Sequence, residues 1–278
     1  MNAIHVLLFA IMQGITELFP ISSLGHGVIA PSILGWDLNR DNPNFLPLLV
    51  VLHLGTATAL LLYFRRDWIR LIGGVLRQHR EPSNPEAKVF WLLVVATVPA
   101  GLLGLLLEKK LRLLFGNAEL VSGVLAINGI VLWVGDRLKN RSARHTLETM
   151  GWQKAVGIGF AQALALIPGM SRSGVTLVAG LASGLDYAAS ARFSFLMATP
   201  IILAAGVLEV PKLLHHGLGT AGLGVIAAAG VLAGVFAWLS TWVLMRWFSS
   251  HEVQALRPFA VYCVLAGLGA LTYLLAGA

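Results

Sequence analysis

The sequence predicts an all-α polytopic membrane protein built as an inverted-topology repeat, with six transmembrane helices and two broken re-entrant helix pairs. Three observations predict it. The 278 residues are 57% hydrophobic and only 12% charged, where soluble domains carry about 25% charged residues, and the mean hydropathy is +0.78. Apolar runs long enough to cross a bilayer recur along the whole chain. Two of the apolar runs are interrupted in the same way, at Pro20 and at Pro168, with serines and glycine following at once. A formal charge of +7 and a pI near 10.0 would point a soluble chain toward nucleic acid. Here the Lys and Arg residues sit between apolar runs, where they set topology, and no nucleic-acid partner is expected. The single cysteine, Cys263, excludes an intramolecular disulfide and a cysteine-based metal site. The N-terminus has neither a basic n-region nor a small-residue cleavage pattern, so it reads as retained.

Residues 3–19 form an apolar helix that Pro20 denies continuation. Residues 26–34 return toward the side of entry, giving the first re-entrant pair. The linker 35–47 is polar and rich in Asn, Asp and Pro. A span follows over 46–64, then an amphipathic surface helix over 67–79, with Trp68, Ile69, Ile72 and Leu76 set against Arg70, Arg77 and Arg80. Spans at 89–107 and 119–135 are separated by the charged stretch 108–112. The second half repeats the order: a helix over 151–167 broken at Pro168, a return over 175–184, and spans at 187–208, 221–246 and 255–276. Each half is thus a broken pair plus three spans. Three is odd, so the second half (146–278) is inverted relative to the first (1–145), and the two breaks face each other near the midplane.

The basic residues divide accordingly. Thirteen, from Arg65 through Lys88, Arg137–Lys154, Arg246 and Arg257, fall on one side, and five on the other. The richer side is expected to be cytoplasmic. Arg172 and Arg192 are left at membrane depth, Arg192 as a structural counter-charge to Asp186.

The chemistry lies at the two breaks. Ionisable groups inside a membrane are costly and mark function, and a broken backbone there must be covered by protein or line a wet cavity. Gln13 and Glu17 are four apart and share a helix face. Glu17 can hold a hard cation that bridges to phosphate, and Gln13 can add an amide oxygen. Ser22 and Ser23 can donate hydrogen bonds, cap the return helix, or attack if activated; Ser23 is the one expected to face substrate. His26 can act as nucleophile or as general acid and base. At the second break, Gly169, Ser171, Arg172, Ser173 and Gly174 read as an oxyanion cradle. Glycine admits close backbone approach, the following helix N-terminus adds positive potential, and Arg forks onto phosphate oxygens. Cation, arginine, base and hydroxyls together suit phosphoryl transfer. His53 reads as structural, and Trp68, Trp152 and Trp247 as interface anchors.

These motifs resemble the two signature segments of the bacterial undecaprenyl-pyrophosphate phosphatase family, also called the bacitracin-resistance family. Gln13 and Glu17 match its (Glu/Gln)-x-x-x-Glu pattern, Pro20 to His26 its Pro-x-Ser-Ser-x-Gly-His, and Pro168 to Gly174 its Pro-Gly-x-Ser-Arg-Ser-Gly. Weaker similarity covers 53–56 and 192–195, and the resemblance spans almost the whole chain. Leu24 departs from the small polar residue usual there, and Gln13 leaves one anionic ligand fewer than a Glu. The resemblance implies an inner-membrane enzyme that hydrolyses undecaprenyl pyrophosphate to undecaprenyl phosphate and inorganic phosphate. That step recycles the carrier for peptidoglycan synthesis and confers bacitracin resistance. It further implies a divalent cation, Mg²⁺ or Ca²⁺, and a site open to the periplasmic side. The expected partners are the lipid substrate and membrane lipid, with a homodimer left open. The rival reading is a transporter or flippase of a lipid phosphate, since inverted repeats with broken helices also serve transport.

Overall fold

The computed structural model describes residues 2–36, 38, 45–114, 117–138, 145–216, 223–251 and 253–277; side chains at 46, 108–114, 208–216 and 223 are outside that description. The polar linker at 37 and 39–44, with Arg40, and the basic loop at 139–144 lie outside it, as do the side chains of Lys109, Lys110, Arg112 and Lys212. Among the described residues there are eleven α-helices and no strand.

The first, α1 (Ala3–Thr16), starts on Asn2, whose side chain accepts the Ile4 N–H at 2.9 Å. It ends one turn before Pro20. The chain is irregular to Ser22, then returns as α2 (Ser23–Leu34). Next come α3 (Phe45–Tyr63) and α4 (Arg65–Arg77), which bend 74° relative to each other. That bend turns α4 from the line of α3, and its amphipathic pattern shows in a buried Leu71 and Gly74 against exposed Ile69, Ile72 and Leu76. Then follow α5 (Pro85–Leu114) and α6 (Ala118–Arg137).

The second half opens with α7 (Trp152–Ala163), a 3₁₀ turn at Leu164–Leu166, and α8 (Arg172–Ala182) after the break. It closes with α9 (Tyr187–His216), α10 (Leu223–Ser250) and α11 (Arg257–Ala276). Five helices, α5, α6, α9, α10 and α11, are long and apolar enough to cross a membrane, and the bent α3–α4 pair supplies up to a sixth. The charged stretch 108–112 that separates two of the spans continues α5 as helix to Leu114, because Glu, Lys, Leu and Arg are all good helix formers.

Helix pairs approach closely where small residues meet. A Cβ on Gly14 of α1 would lie 2.4 Å from the Ala233 carbonyl of α10, and one on Gly159 of α7 would lie 2.5 Å from the Ala96 carbonyl of α5. Likewise Gly55 of α3 sits on the Gly230 carbonyl of α10, and Gly129 of α6 on the Ala260 carbonyl of α11. Small residues are how apolar helices gain packing when lipid competes for the same surface.

The basic end is tied by polar contacts. Lys88 Nζ donates to the Glu148 carbonyl at 2.8 Å and Lys154 Nζ to the Ser183 carbonyl at 2.8 Å. Arg257 Nε donates to Asp136 at 3.2 Å, and Tyr187 donates its hydroxyl to the same carboxylate at 2.6 Å. Arg192 pairs with Asp67 of α4, not with Asp186. Asp186 is engaged instead in accepting the Ala189 N–H at the start of α9, at 2.7 Å.

Candidate active site

The two breaks meet each other across the middle of the helix bundle. Ser22 Oγ donates to the Met170 carbonyl at 3.3 Å, and Ser173 Oγ donates to the Phe19 carbonyl at 3.1 Å. Asn128, wholly buried on α6, bridges them: its amide nitrogen donates to the Pro20 carbonyl at 3.0 Å and its amide oxygen accepts the Ser171 N–H at 3.0 Å. Sequence reasoning passed over Asn128. The available signal was an amide in an otherwise apolar span, which lipid would not tolerate unpartnered.

Backbone conformation at both breaks is unusual. Gly169 has φ +99°, and a Cβ there would lie 2.5 Å from the Val121 carbonyl, so glycine is required for conformation and for space. Ser22 also has positive φ, +68°. A serine in that region is strained, and its surroundings hold it there. Its Oγ accepts the Gly25 N–H at 3.1 Å, capping α2, and its carbonyl accepts from His26 Nδ1 at 2.8 Å.

A cavity of about 450 Å³ opens beside the breaks. Its polar lining includes Glu17, Ser22, Ser23, His53, Gln162, Ser171 and Arg172. Glu17 is the centre of the polar cluster. Its Oε2 accepts from Ser23 Oγ at 2.6 Å and from Gln13 Nε2 at 3.0 Å, while Oε1 accepts from Arg172 Nη2 at 3.2 Å. The pair is mostly shielded, with side chains 7% and 14% exposed. The other arm of Arg172 donates to the Ser194 carbonyl at 3.4 Å. Ser23 and Arg172 are each the first residue of a helix, α2 and α8. Two helix N-termini therefore converge here, with backbone N–H groups that have no partner inside the helix and a positive end potential.

The predicted residues thus separate. Gln13, Glu17, Ser23 and Arg172 come together. Ser22 and Ser171 line the cavity but cap α2 and α8, Ser171 Oγ accepting the Gly174 N–H at 3.2 Å. Ser173 shares a 3.1 Å hydrogen bond with Ser171 and is otherwise engaged by Phe19. Gly169 packs on α6, and Gly174 supplies the capped N–H. His26 stands apart and does not line the cavity. Its Nε2 meets the Tyr262 hydroxyl at 2.7 Å, and its ring stacks on Tyr262 with centroids 5.7 Å apart. His53, expected to be structural, faces the cavity: Nδ1 donates to the Leu49 carbonyl at 2.7 Å, leaving Nε2 3.4 Å from the Gln13 amide nitrogen and 3.9 Å from Glu17.

Chemically, a hydroxyl 2.6 Å from a carboxylate is a nucleophile with a base in reach. The guanidinium and the two helix ends supply what an oxyanion needs. A second, apolar groove of about 740 Å³ runs between α3 and α10, along Gly55, Leu62, Val231, Val235 and Trp238. Leu54 lines both it and the polar cavity.

Fold and site define a polytopic α-helical membrane protein with a cavity at two helix breaks that holds a carboxylate and an arginine. The chain matches the family described as bacitracin resistance protein BacA over residues 6–269, and it belongs to that family. It is 58% identical over 273 residues to undecaprenyl-diphosphatase 2 of Chromobacterium violaceum, covering 98% of this chain and 99% of the relative. It is 51% identical to undecaprenyl-diphosphatase of Granulibacter bethesdensis (99% and 97% covered) and 48% identical to that of Acidiphilium cryptum (96% and 96% covered).

Proposed function

We propose that this protein hydrolyses undecaprenyl diphosphate to undecaprenyl phosphate and inorganic phosphate, recycling the lipid carrier for peptidoglycan synthesis and so conferring resistance to bacitracin. The observation that carries the reading is the contact of Ser23, Glu17 and Arg172 in one cavity, in a chain whose relatives over nearly full length are diphosphatases. The lipid-phosphate transporter reading draws no support from those relatives.

In the proposed mechanism the diphosphate enters the cavity with its terminal phosphoryl group at the N-termini of α2 and α8. Arg172 and the free N–H groups balance the negative oxygens. Ser23 Oγ attacks the terminal phosphorus as its proton passes to Glu17, the bond to the bridging oxygen breaks, and Glu17 hands that proton to the departing undecaprenyl phosphate. The freed Glu17 carboxylate then takes a proton from water, whose oxygen displaces the serine oxygen; Glu17 returns the proton to Ser23 as inorganic phosphate is liberated. His26 holds the strained Ser22 carbonyl and thereby the start of α2; it is a positioning residue in this scheme.

Among the described residues no group of three His, Cys, Asp or Glu side chains is arranged to hold a metal alone. One carboxylate suits a Mg²⁺-like ion that keeps its waters and is shared with substrate phosphates. Glu17 would hold it, with Gln13 joining once its amide turns its oxygen inward. Such an ion supplies charge neutralisation on the diphosphate. Ca²⁺ satisfies the same oxygen donors.

The apolar tail exceeds what a cavity of about 450 Å³ holds. It leaves past Leu54 and lies in the α3–α10 groove. The halves 1–145 and 146–278 are inverted repeats in this proposal, the basic end is cytoplasmic, and the site opens to the periplasm of the inner membrane.

The test is phosphate release from undecaprenyl and farnesyl diphosphate by detergent-purified protein, with Mg²⁺, with Ca²⁺ and with EDTA. Release that needs the cation and is lost in Ser23→Ala at unchanged thermal stability is expected. No release from folded wild type on either substrate overturns the hydrolase.

A further inference from the structure

Gln162 has no assigned task. It sits on α7 one turn before the second break, is 2% exposed, and lines the polar cavity. Neither its amide nitrogen nor its amide oxygen has a hydrogen-bond partner among the described residues. Buried side-chain atoms of His5, Trp68, Ser190 and Thr199 share that lack, but among the described residues Gln162 alone combines it with a place in the cavity wall.

The first break explains why this is unusual. Gln13 is the corresponding amide there, and it is engaged twice, by Glu17 at 3.0 Å and by His53 at 3.4 Å. In the second half no carboxylate follows. Ala165 stands three residues before Pro168, as Glu17 does before Pro20, and Leu166 stands four residues after Gln162. Both line the cavity, and neither offers a polar side chain. A buried amide with no internal partner is destabilising, and a sequence under no functional demand would carry an apolar residue of the same size.

We propose that Gln162 is a substrate-binding residue, whose amide N–H group donates to a phosphoryl oxygen of the diphosphate headgroup. The chemistry fits the neighbourhood. Glu17 already places one negative charge in the cavity, and a diphosphate brings more. A neutral amide adds two donors without adding a positive charge that Glu17 would compete for. This inference rests on the diphosphatase reading and extends its binding set to the second repeat.

The experiment measures kcat and KM for farnesyl diphosphate, inhibition by the non-hydrolysable methylene diphosphonate, and thermal stability, for wild type, Gln162→Met and Gln162→Glu. Loss of one hydrogen bond to a charged group predicts a rise of about ten- to a hundred-fold in KM and in the inhibition constant for Gln162→Met. Its melting temperature should be unchanged or higher, since a buried amide lacking a partner has been replaced by an apolar chain of similar volume. Gln162→Glu should weaken both constants further by repelling the anion. Unchanged KM and inhibition in both variants overturn the inference, as does a fall in melting temperature of several degrees in Gln162→Met, which would give the amide a structural role. Wild type inactive on lipid diphosphate would instead sink the enzyme reading itself, so the two failures are separable.

Discussion

The break after α1 and the break after α7 are made of the same residues, proline, serines and glycine, yet their side chains meet different ends. At the first, Glu17 and Ser23 turn into the cavity and touch each other at 2.6 Å. At the second, Ser171 and Ser173 turn on each other and on the backbone, and Arg172 alone reaches the Glu17 carboxylate. Ser22 of the first break behaves like Ser171 of the second, each capping the helix that follows. Repetition of a motif therefore did not repeat the chemistry. In the proposed mechanism one break carries the nucleophile and base, the other the counter-charge and much of the frame, and the inequality traces to Ala165 and Leu166 standing where a second carboxylate could have been.

Truncating the serines of the two breaks in turn tests this difference most severely. Ser23→Ala and Glu17→Gln are expected to lower kcat by about a thousand-fold or more. Ser173→Ala should cost less than about ten-fold in kcat, with a lowered melting temperature, because it loses bonds to Phe19 and Ser171 rather than to substrate. Equal inactivation by Ser23→Ala and Ser173→Ala, both at unchanged stability, would erase the distinction. Next in size is Arg172. Arg172→Lys keeps a positive charge beside Glu17 but loses the fork, and about a hundred-fold loss in kcat is expected. Arg172→Ala leaves a shielded carboxylate without its partner and should also destabilise the fold by about 3 kcal/mol, read from thermal or denaturant unfolding.

Asn128 tests the frame that both breaks share. Asn128→Leu leaves the Pro20 carbonyl and the Ser171 N–H without partners. Two orphaned buried groups predict a loss of about 2–4 kcal/mol, visible as a lower melting temperature in lipid or detergent. If the melting point holds and only activity falls, Asn128 belongs to the chemistry and not to the frame.

Much of this was legible in the chain, for definable reasons. The breaks showed because Pro20 and Pro168 act locally, through a missing N–H and a fixed φ. Glu17 and Arg172 showed because charge at membrane depth needs a reason. The helix α4 showed in its periodicity. What stayed hidden depends on tertiary contact. The direction of the His26 side chain is set by Tyr262, 236 residues away. The pairing of Arg192 with Asp67 depends on the 74° bend that turns α4 from the line of α3. His53 looked structural because a single imidazole on an apolar helix gives no sign of which neighbour it faces.

The smallest expected effect concerns His26, and it decides between two roles for the most conspicuous side chain in the first break. Its two nitrogens are engaged, Nδ1 with the Ser22 carbonyl and Nε2 with the Tyr262 hydroxyl, and its ring is stacked on Tyr262 outside the cavity lining. A residue so held can fix the strained Ser22, and through it the start of α2 where Ser23 sits, without touching phosphorus. Tyr262→Phe removes only the hydroxyl and should change kcat by less than about three-fold, with about 1 kcal/mol of stability lost. His26→Gln, which can still reach the Ser22 carbonyl, should retain activity within about ten-fold and lose more stability than Tyr262→Phe. The order of the two variants on the stability scale, set against their small kinetic effects, identifies positioning. A loss of a thousand-fold in His26→Gln at unchanged melting temperature would place the imidazole in proton transfer or attack. The first break would then hold two reacting groups rather than one.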